Sequence, residues 1–318
     1  MIAIITRDEP QHHPTEKGEM HLALFYCSES EYVDGVLRFI SPALEADEPV
    51  AIAVPGEKAE LLREGIGDHG DVELFDMVEL GHNPARIIPA VEGMLARHEG
   101  SLLHYVGEPI WPDRSRDEIR EATKHEALIN LAWPGAHIRV LCPYDAGALD
   151  PYVLVDAEKT HPHLIRGGET VPSPSYAGAE LPLGCDDQLD EAPPDALTLP
   201  FGLTNLYAVR SLVRWTANQA GMSPRRVDDL VLAINELATN TIRHAHGGGL
   251  LRVWRTPDEV LCQVEDHGQI HDPLAGRRAP ALDAEGGIGL WTVNQLCDLV
   301  EVRTGESGTT IRVHTAIR

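Results

Sequence analysis

Glu236 and Asn240 stand four residues apart in a stretch whose apolar positions repeat with a helical period. That spacing puts an acid and an amide on one helix face, one turn from each other. By itself the pair also fits a solvated helix side closed by a Glu–Asn hydrogen bond. Three further segments narrow the chemistry. Asp266-His-Gly-Gln269 ends an apolar stretch. A carboxylate there can accept a hydrogen from an exocyclic amine, and Gly268 lets the backbone come close to a ring. Gly286-Gly-Ile-Gly-Leu290 precedes another apolar periodic segment. Glycines ahead of a helix allow backbone N–H groups to approach phosphates, and the helix N-terminus favours their charge. Finally, Gly308-Thr309-Thr310 opens an alternating stretch whose hydroxyls can reach a base edge.

The elements that must position these residues read as an α+β sandwich. A first helix spans 203–219, with Leu206, Val209, Leu212, Val213 and Thr216 on one side. Ser223-Pro224 supplies a cap and a first-turn proline for a long helix that reaches His246, where Gly247-Gly-Gly249 ends it. Its core stripe is Val227, Leu230, Val231, Ile234, Leu237, Ala238 and Ile242. Strands are expected at 250–255, 260–266, 299–303 and 309–317, with a helix at 289–297. Two helices against a largely antiparallel sheet give the sandwich.

Upstream, strands at 21–26, 50–54, 72–75, 101–106 and 137–142 alternate with helices at 32–46, 58–66, 85–98 and 116–132. That alternation predicts an α/β domain with a mostly parallel sheet and helices on both faces. The domain organisation expected is a polar tail (1–19), an α/β domain (20–165), a linker rich in Pro, Gly and acid (166–197) and the sandwich (198–318).

With their order and spacing, the C-terminal boxes resemble those of the GHKL ATPase superfamily of gyrase, Hsp90, histidine kinases and MutL. Glu236-Leu-Ala-Thr-Asn240 is similar to its N box, Asp266-His-Gly-Gln269 to its G1 box and Gly287-Ile-Gly-Leu290 to its G2 box. The compact pattern with a terminal Gly-Thr-Thr strand is most similar to the anti-sigma factor serine/threonine kinases of bacterial partner switching. The resemblance implies ATP and Mg2+ as cofactors. Asn240 would hold the metal, Asp266 and Gly268 would meet the adenine, and Gly287 and Gly289 would cradle the phosphates. Thr310 would back the base pocket, and Glu236 would act as general base. It also implies a sigma factor and a STAS-type anti-sigma antagonist as protein partners, with homodimerisation as a family trait. The alternative is a partner switch in which ATP orders the lid and no phosphate moves. The Arg277-Arg278 pair in the expected lid could neutralise γ-phosphate or be plain surface. A sensor histidine kinase is disfavoured, because the single short upstream helix carries no histidine.

The N-terminal domain, with His21-Leu-Ala-Leu-Phe-Tyr26 and Thr160-His161-Pro162, resembles the MEDS sensory domain. This implies regulation by an unidentified small organic molecule. His21, Tyr26, Cys27 and His104, on or at the ends of expected strands, are its candidate sensor pocket. Val54-Pro-Gly-Glu-Lys58 lacks the first glycine and the Ser/Thr of a P-loop and reads as a turn. Eleven histidines precede residue 165, with His161-Pro-His163 the tightest cluster. No Cys or carboxylate stands at ligand spacing, so they read as surface groups rather than metal ligands.

Composition limits the rest. Of 26 basic and 50 acidic side chains, residues 198–318 hold 12 and 13, so the remainder carries 14 and 37, a net charge of −23. So acidic a body is repelled by nucleic-acid backbones. Five scattered cysteines suggest reduced thiols, and no apolar run approaches the ~18 residues of a membrane helix. A cytoplasmic protein is expected.

Overall fold

The computed structural model describes residues 19–67, 72–178, 189–245, 247–280 and 288–318. Its first domain is a seven-stranded sheet. The strands are β1 (Glu19–Tyr26), β2 (Val50–Val54), β3 (Val72–Asp76), β4 (Leu103–Gly107), β5 (Ile138–Asp145), β6 (His163–Arg166) and β7 (Glu169–Pro172), in the order β3-β2-β4-β5-β1-β6-β7. All neighbours pair in parallel except β6 and β7. Val50-Ala-Ile-Ala-Val54 has no polar residue on either side of its pleat, so both faces must be covered. Every residue of β2 is buried. Helices α1 (Glu29–Glu45) and α2 (Gly56–Ile66) cover one face, over Leu22, Leu24, Ile52, Val54 and Leu141. The short α3 (Met77–Leu80), with α4 (Ile87–Arg97), α5 (Arg116–Ala132) and α6 (Pro151–Thr160), covers the other, over Ala23, Ala51, Tyr105, Val140 and Cys142.

Four of these elements, α3, α6, β6 and β7, are absent from the sequence reading. Helix α6 starts at Asp150-Pro151, a legitimate start signal that the short apolar stretch after it made easy to pass over. Strand β7 lies in the stretch expected to be linker, where it hairpins back on β6 and extends the sheet.

The second domain contains β8 (Leu197–Gly202), α7 (Leu206–Gln219), α8 (Pro224–His244), β9 (Gly248–Arg255), β10 (Glu259–Asp266), α9 (Ile288–Leu296), β11 (Leu299–Gly305) and β12 (Gly308–Ala316). Its antiparallel sheet runs β11-β12-β10-β9-β8. One face packs on α7, α8 and α9 through Val209, Val213, Leu230, Ile234, Val253 and Val293. The edge strand β8 was not anticipated. Its Pro200 and Gly202 mask the strand pattern, and such residues are tolerated at a sheet edge.

The two domains meet along α5. Ser115 closes its N-terminus with a capping box, Ser115 Oγ accepting from Glu118 N and Glu118 accepting from Ser115 N. The helix buries Glu121, Thr123, His125 and Glu126 as well as its apolar residues. Glu121 faces the second domain, and Glu126 lies under the sheet of the first. No helix among the described residues is long and apolar enough to cross a membrane.

Candidate functional site

Helix α8 sets the rotation of the site. Its buried stripe, from Val227 through Leu230, Ile234 and Leu237 to Ala238, is fixed against the sheet. The opposite edge then presents Asn240 to a cleft of about 390 Å³, which Asp266, Gly268, Gly289, Thr309 and Ile311 also line. That volume suits a small organic ligand.

The carboxylate of Asp266 is held from both sides. Its Oδ2 accepts from Thr241 Oγ1 at 2.6 Å, and its Oδ1 accepts from Gly268 N at 2.8 Å. An ionised carboxylate has about four acceptor positions, so each oxygen keeps capacity for a ligand N–H. Thr309, paired with Asp266 across β10 and β12, donates its hydroxyl to Gly268 O at 2.8 Å. Residues Asp266, Thr241, Gly268 and Thr309 thus fix one another before any ligand arrives.

At two glycines an added Cβ would crowd the site's own polar side chains. A Cβ on Gly289 would lie 2.6 Å from Asn240 Nδ2, and one on Gly268 would lie 3.1 Å from Asp266 Oδ1. The missing side chains leave space beside the Asn240 amide at the start of a helix, where backbone N–H groups favour an anion. The donor set also suits Mg2+. Asn240 offers one hard oxygen, and this cation keeps several waters and phosphate oxygens as its other ligands.

Most of the expected site residues share this cleft: Asn240, Asp266, Gly268 and Gly289 all border it. Glu236 is half-buried one turn earlier on α8 and does not line the cleft wall itself. Gly287 lies outside the described residues. Thr310 requires correction. It lines a different pocket with Gln263 and Glu265 on the far face of the sheet. Strand alternation decides this, since Ile311 and Val313 pack toward the helices and Thr309 shares their parity. Thr309 is the threonine at the cleft.

The lid arginines are also placed differently from a phosphate clamp. Arg277 is buried, and its guanidinium bonds Glu121 Oε2 at 2.8 Å. Arg278 borders the cleft but donates to Ala132 O and pairs with Glu92 at 3.3 Å. Both are held by the first domain. The same carboxylate of Glu121 takes Arg303 on its other oxygen at 2.7 Å. Arg86 donates to the carbonyls of Asn294, Gln295 and Cys297 at 2.8–2.9 Å, satisfying the last turn of α9. Asn83 adds a bond to Asn294 O at 3.1 Å. The first turn of α9 contains Gly289, so one helix joins the cleft to the domain seam.

Further along the seam, Glu301 receives His314 Nε2 at 3.0 Å, and Glu259 receives Nδ1 at 3.2 Å. Burial opposes the charge on His314, but these two carboxylates outweigh it and hold the imidazole up at about 9.

The four residues expected to form a sensor pocket do not come together. His104 lies beside Phe39 on the α1 side of the sheet and bonds Glu48 at 2.7 Å. Cys27 is exposed. Tyr26 donates to Glu108 at 2.8 Å, with Lys58 over the Tyr26 and Tyr32 rings. Burial, only partly offset by that hydrogen bond and by Lys58, pushes Glu108 up to about 7. His21 lies on the opposite face from His104, buried under α5 with His161. The expectation that the histidines are surface groups also fails, since His21, His104, His125 and His161 are all buried. Sequence spacing hid this because the partners are 16 to 140 residues apart.

Two known families match separate parts of the chain. Residues 20–162 match the family described as MEDS, the methanogen/methylotroph DcmR sensory domain. Residues 199–315 match the histidine kinase-like ATPase domain. A curated relative, the serine-protein kinase RsbW of Halalkalibacterium halodurans, is 30% identical over 119 residues, covering 34% of this chain and 74% of its own length. Among solved structures, the RsbU and RsbW domains of a Mycobacterium tuberculosis protein match at 20% identity with a TM-score of 0.31. That match covers 40% of this chain and 34% of the other.

Proposed function

From a chain that belongs to the anti-sigma factor serine kinase family of RsbW, we propose an ATP-dependent serine/threonine kinase that phosphorylates a STAS-type antagonist and sequesters a sigma factor. The observation that carries this is one cleft in which Asn240, Asp266, Gly268 and Gly289 converge, with Glu236 a turn away on the same helix.

In this reading Asp266 accepts the adenine amino hydrogen on a carboxylate already oriented by Thr241 and Gly268. Asn240 orients Mg2+, which neutralises phosphate charge when bound. The α9 N-terminus receives the phosphates. Glu236 takes the proton of the incoming serine hydroxyl as the Oγ–P bond forms and the bond to the leaving ADP oxygen breaks. Phosphoryl transfer needs mainly positioning and charge stabilisation, so this small set suffices.

The seam supports regulation by the first domain. Glu121 grips lid residue Arg277, and Arg86 grips the end of α9, so a change in the first domain acts on both borders of the cleft. The protein would act in the cytoplasm, and homodimerisation is part of the proposal. Glu236→Gln should retain Mg-ATP binding while lowering transfer to the antagonist by about 10²–10⁴-fold, the usual contribution of a general base. Transfer at the wild-type rate by that variant would refute the role.

A second reading draws on the engaged arginines. With Arg277 and Arg278 bound to the first domain, ATP would switch partners without phosphate moving. Incubation with labelled ATP and a panel of antagonists distinguishes the two, since only the kinase leaves label on serine.

A further inference from the structure

Beneath the sheet of the first domain, four side chains converge from four elements: His21 on β1, Glu126 on α5, Cys142 on β5 and His161 at the end of α6. All are buried, and His161 and Glu126 have no exposed surface. His21 Nε2 lies 3.0 Å from Glu126 Oε2, and His161 Nε2 lies 3.3 Å from the same oxygen. Cys142 Sγ is 3.3 Å from that oxygen and 3.4 Å from His21 Nε2. We propose that these four residues form a tetrahedral site for Zn2+.

The distances are the first support. With zinc bonds of about 2.0–2.3 Å, neighbouring ligand atoms of a tetrahedron lie ~3.3–3.8 Å apart. The four separations above, 3.0–3.4 Å, lie within a few tenths of an ångström of that edge, and all four ligand atoms lie within 4.8 Å of one another. The set of two imidazoles, one thiolate and one carboxylate is one this borderline ion accepts.

The hydrogen bonds behind the ligands are the second. His161 Nδ1 lies 2.8 Å from Ala157 O, a pure acceptor, so the ring proton sits on Nδ1. Asn130 spends its amide hydrogens on the carbonyls of Glu126, Ala127 and Thr160, so its Oδ1 accepts from His21 Nδ1 at 3.1 Å. Both histidines are thereby turned with Nε2 toward Glu126, the arrangement by which outer partners fix metal-bound imidazoles.

Without a cation this arrangement is poorly satisfied. One proton shared between His21 and Glu126 leaves the His161 lone pair facing a carboxylate oxygen. Glu126 Oε1 is buried without a hydrogen-bond partner. Zinc would take all four donors and release the thiol proton. No ligand position then remains open, so the site is a closed one that stiffens the domain. A second group of possible ligands, Asp117, Glu301 and His314, is different in kind, because Arg120, Arg303 and Arg312 already lie within ion-pair distance of Glu301.

The test uses the full-length reduced protein, stripped with a chelator and titrated with Zn2+ and, separately, Co2+. The expected result is one tight equivalent per chain, and for Co2+ a tetrahedral visible spectrum with a thiolate charge-transfer band. Cys142→Ser should abolish that band, and Asn130→Leu should weaken zinc by about 10–100-fold through His21 alone. Cys142→Ala serves if the serine variant does not fold, and the wild-type spectrum decides without any variant. No tight equivalent, or a cobalt spectrum lacking the thiolate band, overturns the proposal.

Discussion

Replacing Gly289 by alanine separates the stability of the fold from the use of its cleft, because the two should move in opposite directions. Gly289 is the second residue of α9, and its φ is not in the left-handed region. Alanine in a helix is favoured over glycine by about 0.5–1 kcal/mol, so helix propensity alone raises stability. The new Cβ, however, would stand 2.6 Å from Asn240 Nδ2 and 3.2 Å from its Oδ1. Ordinary contact needs roughly 3.4 Å or more, so the Asn240 amide must retreat by about 0.8 Å. The end of a flexible side chain can do so at little cost to folding. A ligand atom misplaced by about that much is outside the ~0.5 Å tolerance of a working site. Calorimetry should show Mg-ATP affinity reduced about 10–100-fold, while the thermal midpoint stays level or rises. The loss should also be non-additive. In an Asn240→Ala background, Gly289→Ala should cost little further affinity, because the displaced amide is already gone. Full Mg-ATP affinity in the Gly289→Ala single variant, or additive losses in the pair, would refute the link between the glycine and the amide.

Thr309→Val should reduce nucleotide affinity several-fold and stability by about 1 kcal/mol, the worth of its hydrogen bond to Gly268, while Thr310→Val leaves affinity unchanged in the same calorimeter. Glu121→Ala removes the carboxylate shared by two buried guanidinia and should cost up to about 3–5 kcal/mol in urea unfolding. His314 has a folded pKa of about 9 against 6.5 for the free side chain. Its contribution is full below pH 6.5 and lost as pH rises through 9. It amounts to about 3 kcal/mol, a gap read as a decline in the urea midpoint from pH 6 to 10 that His314→Gln flattens.

The second domain was legible because its chemistry is local. Glu236 and Asn240 share a helix, and Asp266 and Gly268 share a strand end, so short-range spacing carries their geometry. The placement of Thr309 rather than Thr310 at the cleft could have been read from sequence, since Ile311 and Val313 give the parity of the inward face. The first domain was legible as alternating strands and helices but not as a site. His21, Glu126, Cys142 and His161 meet only after β1 and β5 pair in register and α5 crosses beneath them. Nothing in a linear spacing encodes that meeting. The seam was hidden for the same reason. Arg277 reads as a surface arginine until its partner arrives from 156 positions away.

Helix α9 has nine residues and is therefore about 13 Å long. Arg86 clasps its final carbonyls, and Gly289 stands at its other tip. A rod of that length, tilted by about 5° at the clasped end, swings its far tip through roughly 1 Å. A working site tolerates only about 0.5 Å of displacement. A lever with so short a throw at its handle needs no large rearrangement upstream to open or shut the gap between Gly289 and Asn240.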